Sequence, residues 1–142
     1  MSLTNPMARL RALRPVPIFR GLTKETLFDV ARMTDEVTYP SGATVVREGD
    51  PGDALCIIVE GNVEVRTGDR VVAQMTVGDF FGEISLFDGE PRSATVVAVD
   101  DVVLLTLKSS DFETLLEIHY VARTALENLA KRVREAHGSQ VP

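Results

Sequence analysis

Between Val37 and Leu107 the chain is interrupted at short, regular intervals by turn chemistry: Tyr39-Pro40-Ser41-Gly42, Gly49-Asp50-Pro51-Gly52, Glu60-Gly61-Asn62, Thr67-Gly68-Asp69, Val77-Gly78-Asp79 and Asp88-Gly89. The runs between these breaks are short and rich in β-branched residues, which is the pattern of strands joined by tight turns. About eight strands fit, and that number at that spacing implies a small barrel or sandwich. Two of the runs differ in kind. Val63 and Val65 alternate with Asn62, Glu64 and Arg66, as in a strand buried on one face. Leu55 to Val59 is apolar throughout and reads as buried on both faces.

Helical periodicity flanks this middle. A short piece around Met7 to Leu13 is stopped by Pro15 and Pro17, and Thr23 is placed to cap a helix running to about Met33 on Leu27, Val30 and Ala31. After Leu107, Ser110-Asp111-Phe112-Glu113 has the form of a capping box, followed by Leu115, Leu116 and Ile118. A second C-terminal helix is expected from about Tyr120 to His137, with Ala122, Ala125, Leu126, Leu129, Val133 and Ala136 along one side. The expected architecture is mainly β with flanking helices. At 142 residues the chain suits one domain, with the β part at about 37–107 and the C-terminal helices at about 110–137.

Composition narrows the functions open to such a chain. A net charge of −6 argues against general affinity for nucleic acid or an anionic membrane, so any anion must be accepted locally. No run of eighteen apolar residues is present, and Arg9, Arg11 and Arg14 are followed by no signal-peptide core. With the single cysteine, Cys56, inside an apolar run, the expectation is core packing and a reducing cytoplasm. His119 and His137 have no metal-ligand spacing, so no metal site and no catalytic cofactor are expected.

The densest chemistry lies in Phe81-Gly82-Glu83-Ile84-Ser85-Leu86, followed by Pro91-Arg92-Ser93-Ala94-Thr95. An anion that loses its water on entering a pocket needs a fixed cation and main-chain N–H donors, and Arg92 offers a planar fork of donors. Gly82 permits close backbone approach, and the N–H groups of Glu83, Ile84 and Ser85 are expected at the start of a helical turn, where negative charge is favoured. A carboxylate beside a phosphate needs another task, so Glu83 is read as the acceptor for a sugar hydroxyl. An anion with a sugar hydroxyl is what a cyclic nucleotide presents.

These two segments closely resemble, without a gap, the phosphate-binding cassette of the cyclic nucleotide-binding domain family. Position by position, the resemblance implies that Glu83 takes the ribose 2′-hydroxyl and Arg92 the exocyclic phosphate oxygens. Gly82, Ser85 and Ala94 would supply backbone contacts, and Ser93 follows the arginine. Outside the cassette, Pro17 to Leu22 and Arg47 to Asp53 also resemble family segments, extending the likeness over roughly residues 16 to 135. The implied fold is an eight-stranded β-roll, jelly-roll-like, with an N-terminal helix and two C-terminal helices. The implied ligand is cAMP, with cGMP second because serine at position 93 lies between the residues that accompany either base.

In that family the last helix folds over the ligand or docks on a partner, so Leu86 is the expected mechanical link and Arg123 a candidate contact to base or phosphate. The plainer reading of Arg123 is a solvated arginine on a helix. The alternatives are the regulatory part of a Crp/Fnr-type transcription factor, or of a channel, transporter or enzyme. No helix-turn-helix is legible before Pro142, so direct contact with nucleic acid is not expected. Catalysis through Glu83 with His119 or Asp79 lacks a nucleophile, base and orienting group. A homodimer, or a fused or partner effector domain, remains compatible with the final apolar stripe.

Overall fold

In the computed structural model, the described residues are 5–82, 91–118, 129–131 and 134. Two helices open the chain: α1 (Pro6–Leu13) and α2 (Lys24–Met33), joined through a short 3-10 turn at Pro17–Phe19. Asn5 caps α1 by accepting from the Met7 N–H at 2.8 Å, and Thr23 caps α2 by accepting from Thr26 N at 3.1 Å. Each satisfies a donor that a helix start leaves without an internal partner. The Arg9 guanidinium donates to the Thr34 carbonyl, tying α1 to the end of α2.

Eight strands follow: β1 (Asp35–Tyr39), β2 (Thr44–Val46), β3 (Ala54–Glu60), β4 (Val63–Thr67), β5 (Arg70–Met75), β6 (Phe80–Phe81), β7 (Thr95–Ala98) and β8 (Val102–Lys108). They form two four-stranded sheets in the orders β1-β8-β3-β6 and β2-β7-β4-β5, with every pair antiparallel. The expected eight-stranded roll is therefore present, starting at Asp35, two residues earlier than the sequence pattern suggested.

Strand β3 explains why the first sheet is covered on both faces. Leu55 and Ile57 point to one side, where with Leu105 and Leu107 of β8 they meet Leu13, Phe19, Leu27 and Val30 of the N-terminal segment. Cys56 and Ile58 point to the other side and pack with Phe81, Val63, Val65, Val96 and Leu104 between the sheets. The run that reads as buried on both faces is so because helices cover one face and the second sheet the other. Burying each large apolar side chain contributes roughly 1.5–3 kcal/mol. On β4 the expected alternation also holds: Val63 and Val65 are buried while Glu64 and Arg66 are half-buried and paired with each other at 2.7 Å.

After β8, α3 (Ser109–Ile118) begins at once. The sequence pattern puts Ser110 at the cap, whereas in the structure Ser110 lies within the helix and its carbonyl accepts from the Thr114 hydroxyl. The first donor is satisfied from elsewhere, because the Ser109 N–H reaches the Asp53 carbonyl at 2.8 Å. A tertiary hydrogen bond thus serves the first N–H of the helix, one of those without an intrahelical partner. Residues 129–131 are helical, Ala130 is buried and Leu129 packs on the N-terminal core. The remainder of the expected second C-terminal helix lies outside the described residues.

At one end of the roll, three turns are locked together. Asp100 accepts from Asn62 twice, from the main chain at 2.7 Å and from the side-chain amide at 2.8 Å. Asp101 accepts from Ser41 N, and the Ser41 hydroxyl donates to the Val99 carbonyl, both at 2.9 Å. Gly61, at φ +91°, has no room for a side chain: a Cβ there would lie 2.9 Å from the Asp100 carboxylate and closer still to the Asp101 carbonyl. The Asn62 side-chain and main-chain donors hold the Asp100 carboxyl below its ordinary 3.8. A carboxyl lowered in the folded state stabilises fully above its unfolded value and loses that contribution as pH falls through the folded value. Asp100→Ala is expected to lower the urea midpoint at neutral pH, with the gap to wild type closing as pH falls below 3.8. Urea titrations across that range measure it.

Candidate functional site

Arg92 enters the core because its backbone is held on both sides. Its N–H donates to the Asp50 carbonyl and its carbonyl accepts from Gly49 N, each at 2.8 Å. The neighbouring Glu48 N–H is held by the Thr95 hydroxyl at 2.9 Å. These bonds lash the 47–50 turn to the start of β7 and fix the direction of the arginine side chain.

The side chain is 4% exposed. Its Nη2 donates to the Ala54 carbonyl at 2.9 Å, while Nε and Nη1 are buried and have no hydrogen-bond partner. Among the described residues no carboxylate forms an ion pair with Arg92. A buried guanidinium with open donors carries an effective desolvation penalty of several kcal/mol unless an anion meets it. The arrangement is therefore matched to a small anion of planar or tetrahedral form.

Gly82 makes room for this group. At φ +91° it takes a conformation that L side chains avoid, and a Cβ there would collide with Arg92 Nη1 and lie 2.5 Å from the Ala54 carbonyl oxygen. Sequence reading assigned Gly82 close backbone approach; the structure adds that the approaching group is the arginine itself. Ala94 is fully buried in the inter-sheet core, and Ser93 is exposed. Of the other expected site residues, Glu83, Ile84, Ser85 and Arg123 lie outside the described residues, as do Leu86, His119 and His137.

Arg92 also lines a cavity of about 360 Å³ with Tyr39, Val45, Val46, Asp53 and Cys56. That volume falls at the lower end of the roughly 300–1,000 Å³ usual for small-molecule sites. Its wall combines apolar side chains with charged ones, Arg47, Lys108, Asp50 and Asp53 beside Arg92, of which Arg92 alone is buried; an anionic end with a flat or apolar remainder suits that mixture. Sequence reading missed Ala54, whose contribution is a main-chain carbonyl and leaves no side-chain signature. It also missed the place of Cys56 beside the arginine, although the parity of β3 puts Cys56 on the same face as Ile58. Burial pushes the Cys56 thiol up to about 11, Arg92 draws it down and Asp53 raises it slightly.

Residues 36–119 match the family model for the cyclic nucleotide-binding domain. The chain belongs to that family. It is 44% identical over 117 residues to a cyclic nucleotide-gated potassium channel of Mesorhizobium japonicum, covering 79% of this chain and 32% of the channel. Among solved structures, the N-terminal domain of a transcriptional regulator from Streptomyces coelicolor superposes with a TM-score of 0.79 at 36% identity, covering 89% of this chain and 92% of that one. The regulatory domain of Toxoplasma gondii PKA, solved with cAMP, superposes with a TM-score of 0.79 at 26% identity over 92% of this chain and 50% of that one. The chain spans about a third of the length of the channels it matches.

Two outcomes are expected from this geometry. Gly82→Ala forces overpacking at a strained φ and should lower stability by about 1–3 kcal/mol, as read from urea unfolding. The Cys56 thiol at pH 8 should be only about one-thousandth thiolate, so labelling by an aromatic disulfide should be slow in the native chain and fast in urea. Equal rates in the two states would contradict the buried placement.

Proposed function

We propose that this chain is a cyclic nucleotide sensor, a regulatory binding module without catalysis of its own, with cAMP the preferred ligand and cGMP the weaker one. The observation that carries the reading is the buried, carboxylate-free Arg92 packed on the side-chain-free Gly82. An exocyclic phosphate supplies the two things Arg92 lacks: acceptors for Nε and Nη1, and a compensating charge. Membership of the family supports a cyclic nucleotide over any other small anion, and the cAMP complex of the Toxoplasma domain supports the first choice of base.

The segment between Gly82 and Pro91 is assigned the rest of the cassette. Glu83 takes the ribose 2′-hydroxyl, Ile84 and Ser85 give main-chain donors, and Leu86 carries the movement to the C-terminal helix, where Arg123 is the candidate outer contact. Binding shifts that helix only to the extent that its affinity differs between the two arrangements. The signal passes to an effector, in the same polypeptide or on a partner. No helix among the described residues is long and apolar enough to cross a membrane.

Calorimetric titration with cAMP and cGMP tests the reading. At a ligand concentration of about 100 times Kd the folded state should gain about 2.7 kcal/mol. Absence of stabilisation by either nucleotide at millimolar concentration would refute it. Arg92→Met is the discriminating variant. It removes a buried cation and keeps most of the volume, so the ligand-free chain should be as stable as wild type or more so. Nucleotide affinity should fall by about 2–5 kcal/mol, the usual loss when one partner of a desolvated charge pair is truncated. A variant that binds as well as wild type places the phosphate elsewhere.

A further inference from the structure

The turn that holds Arg92 is itself held from two directions through one residue, Glu48. Its N–H donates to the Thr95 hydroxyl oxygen at 2.9 Å, and its carboxylate Oε1 accepts from Gly68 N at 3.3 Å. Thr95 is the opening residue of β7. Gly68 is at the tip of the β4–β5 hairpin, just after the closing pair of Thr67 with Arg70. The two residues after Glu48 carry the arginine: Gly49 N donates to the Arg92 carbonyl, and the Asp50 carbonyl accepts from Arg92 N. Four hydrogen bonds therefore run from the hairpin tip to the main chain of Arg92.

Neither side chain is needed for packing. Ala94 and Val96 are fully buried, and Thr95 between them is half-buried on the opposite face of the strand, across from Arg66 of β4. A valine would serve the strand equally well there, being branched in the same way. What threonine adds is an acceptor for one donor of the 47–50 turn. Glu48 is exposed. Both of its bonds lie at the surface, where water can take over a lost partner at small cost to folding. Direction is what the bonds supply, and a binding group has to be held to within about 0.5 Å to be effective.

We propose that Thr95 and Glu48 are positioning residues for the anion site, holding the 47–50 turn so that the open Nε and Nη1 of Arg92 stay aimed at the ligand's phosphate. The inference rests on the cyclic nucleotide reading of that site. Neither residue lines the Arg92 cavity, so their influence on the ligand passes through the turn and the arginine main chain. Coupling between two places in a molecule is reciprocal. An occupied site therefore steadies the hairpin tip, and a steady tip favours occupation.

Calorimetric titration of the full chain with cAMP tests this, with the urea midpoint of each variant confirming that it folds. Thr95→Val should weaken binding by about tenfold, while Thr95→Ser, which keeps the acceptor, should stay within about twofold of wild type. Glu48→Ala should weaken binding by about threefold, and Glu48→Gln, whose amide oxygen also accepts, should restore it. In an Arg92→Met background Thr95→Val should have no further effect, because the group it positions is gone. Bound cAMP should also slow amide hydrogen exchange at Glu48 and Gly68. Wild-type affinity in Thr95→Val overturns the proposal, and so does an equal loss in both backgrounds, which marks a general structural effect. Wild type without affinity for cAMP or cGMP overturns the nucleotide reading, and this inference with it.

Discussion

A guanidinium buried without a carboxylate is the constraint on which the rest of this β-roll depends. Arg92 reaches the interior only because the 47–50 turn holds its main chain and because Gly82 has no side chain to occupy the same space. The Ala54 carbonyl takes one donor, and two nitrogens remain open. Such a site is energetically incomplete in the isolated fold, with a penalty of several kcal/mol that a bound anion offsets. Stability sacrificed at the site becomes differential affinity for the ligand-bound arrangement. The surrounding core must be able to tolerate that sacrifice. The first sheet, sealed by helices on one side and by the second sheet on the other, supplies the tolerance.

What the amino-acid order disclosed, and what it hid, divides along physical lines. Strand count and the parity of β3 and β4 were legible because side-chain polarity repeats with backbone period. The Thr23 cap was legible because a single side chain performs it. The start of α3 was misread at Ser110: the helix begins one residue earlier, at Ser109, whose N–H donates to the main-chain carbonyl of Asp53, distant in sequence. Main-chain acceptors carry no residue signature. For the same reason Arg92 and Gly82 could be named as site residues, while their collision-limited packing and the role of the Ala54 carbonyl could not. The Asp100–Asn62 lock was hidden in a similar way, being a pairing of two turns that each read as an ordinary loop.

The two sheets also divide the labour. β8 lies between β1 and β3 with both faces covered, and its Leu104, Leu105 and Leu107 are fully buried. The second sheet has its inner face on the core and its outer face and β5 edge toward solvent. It contributes Val45 and Val46 to the cavity wall and Ala94 to the core beside the arginine. The doubly covered core thus lies in one sheet and the accessible outer surface in the other, and both contribute to the wall around Arg92.

An anion site in a protein of net charge −6 looks self-defeating, and the resolution lies in range. At physiological ionic strength the field of exposed carboxylates is screened over about 8 Å, whereas a desolvated pair at hydrogen-bonding distance is screened far less. The long-range repulsion therefore affects the encounter more than the bound state. In the proposed binding mode affinity is governed by the two open nitrogens of Arg92, and the acidic surface works against loose adsorption of larger polyanions, whose many phosphates sum the repulsion. A single phosphate that fits beside Gly82 meets the guanidinium at short range; a nucleic acid backbone meets mainly the carboxylates. The same arginine on the surface would lose this distinction, because an exposed cation is solvated and attracts any anion weakly. In the proposed function, burial is what turns one positive charge in an acidic protein into a selective site.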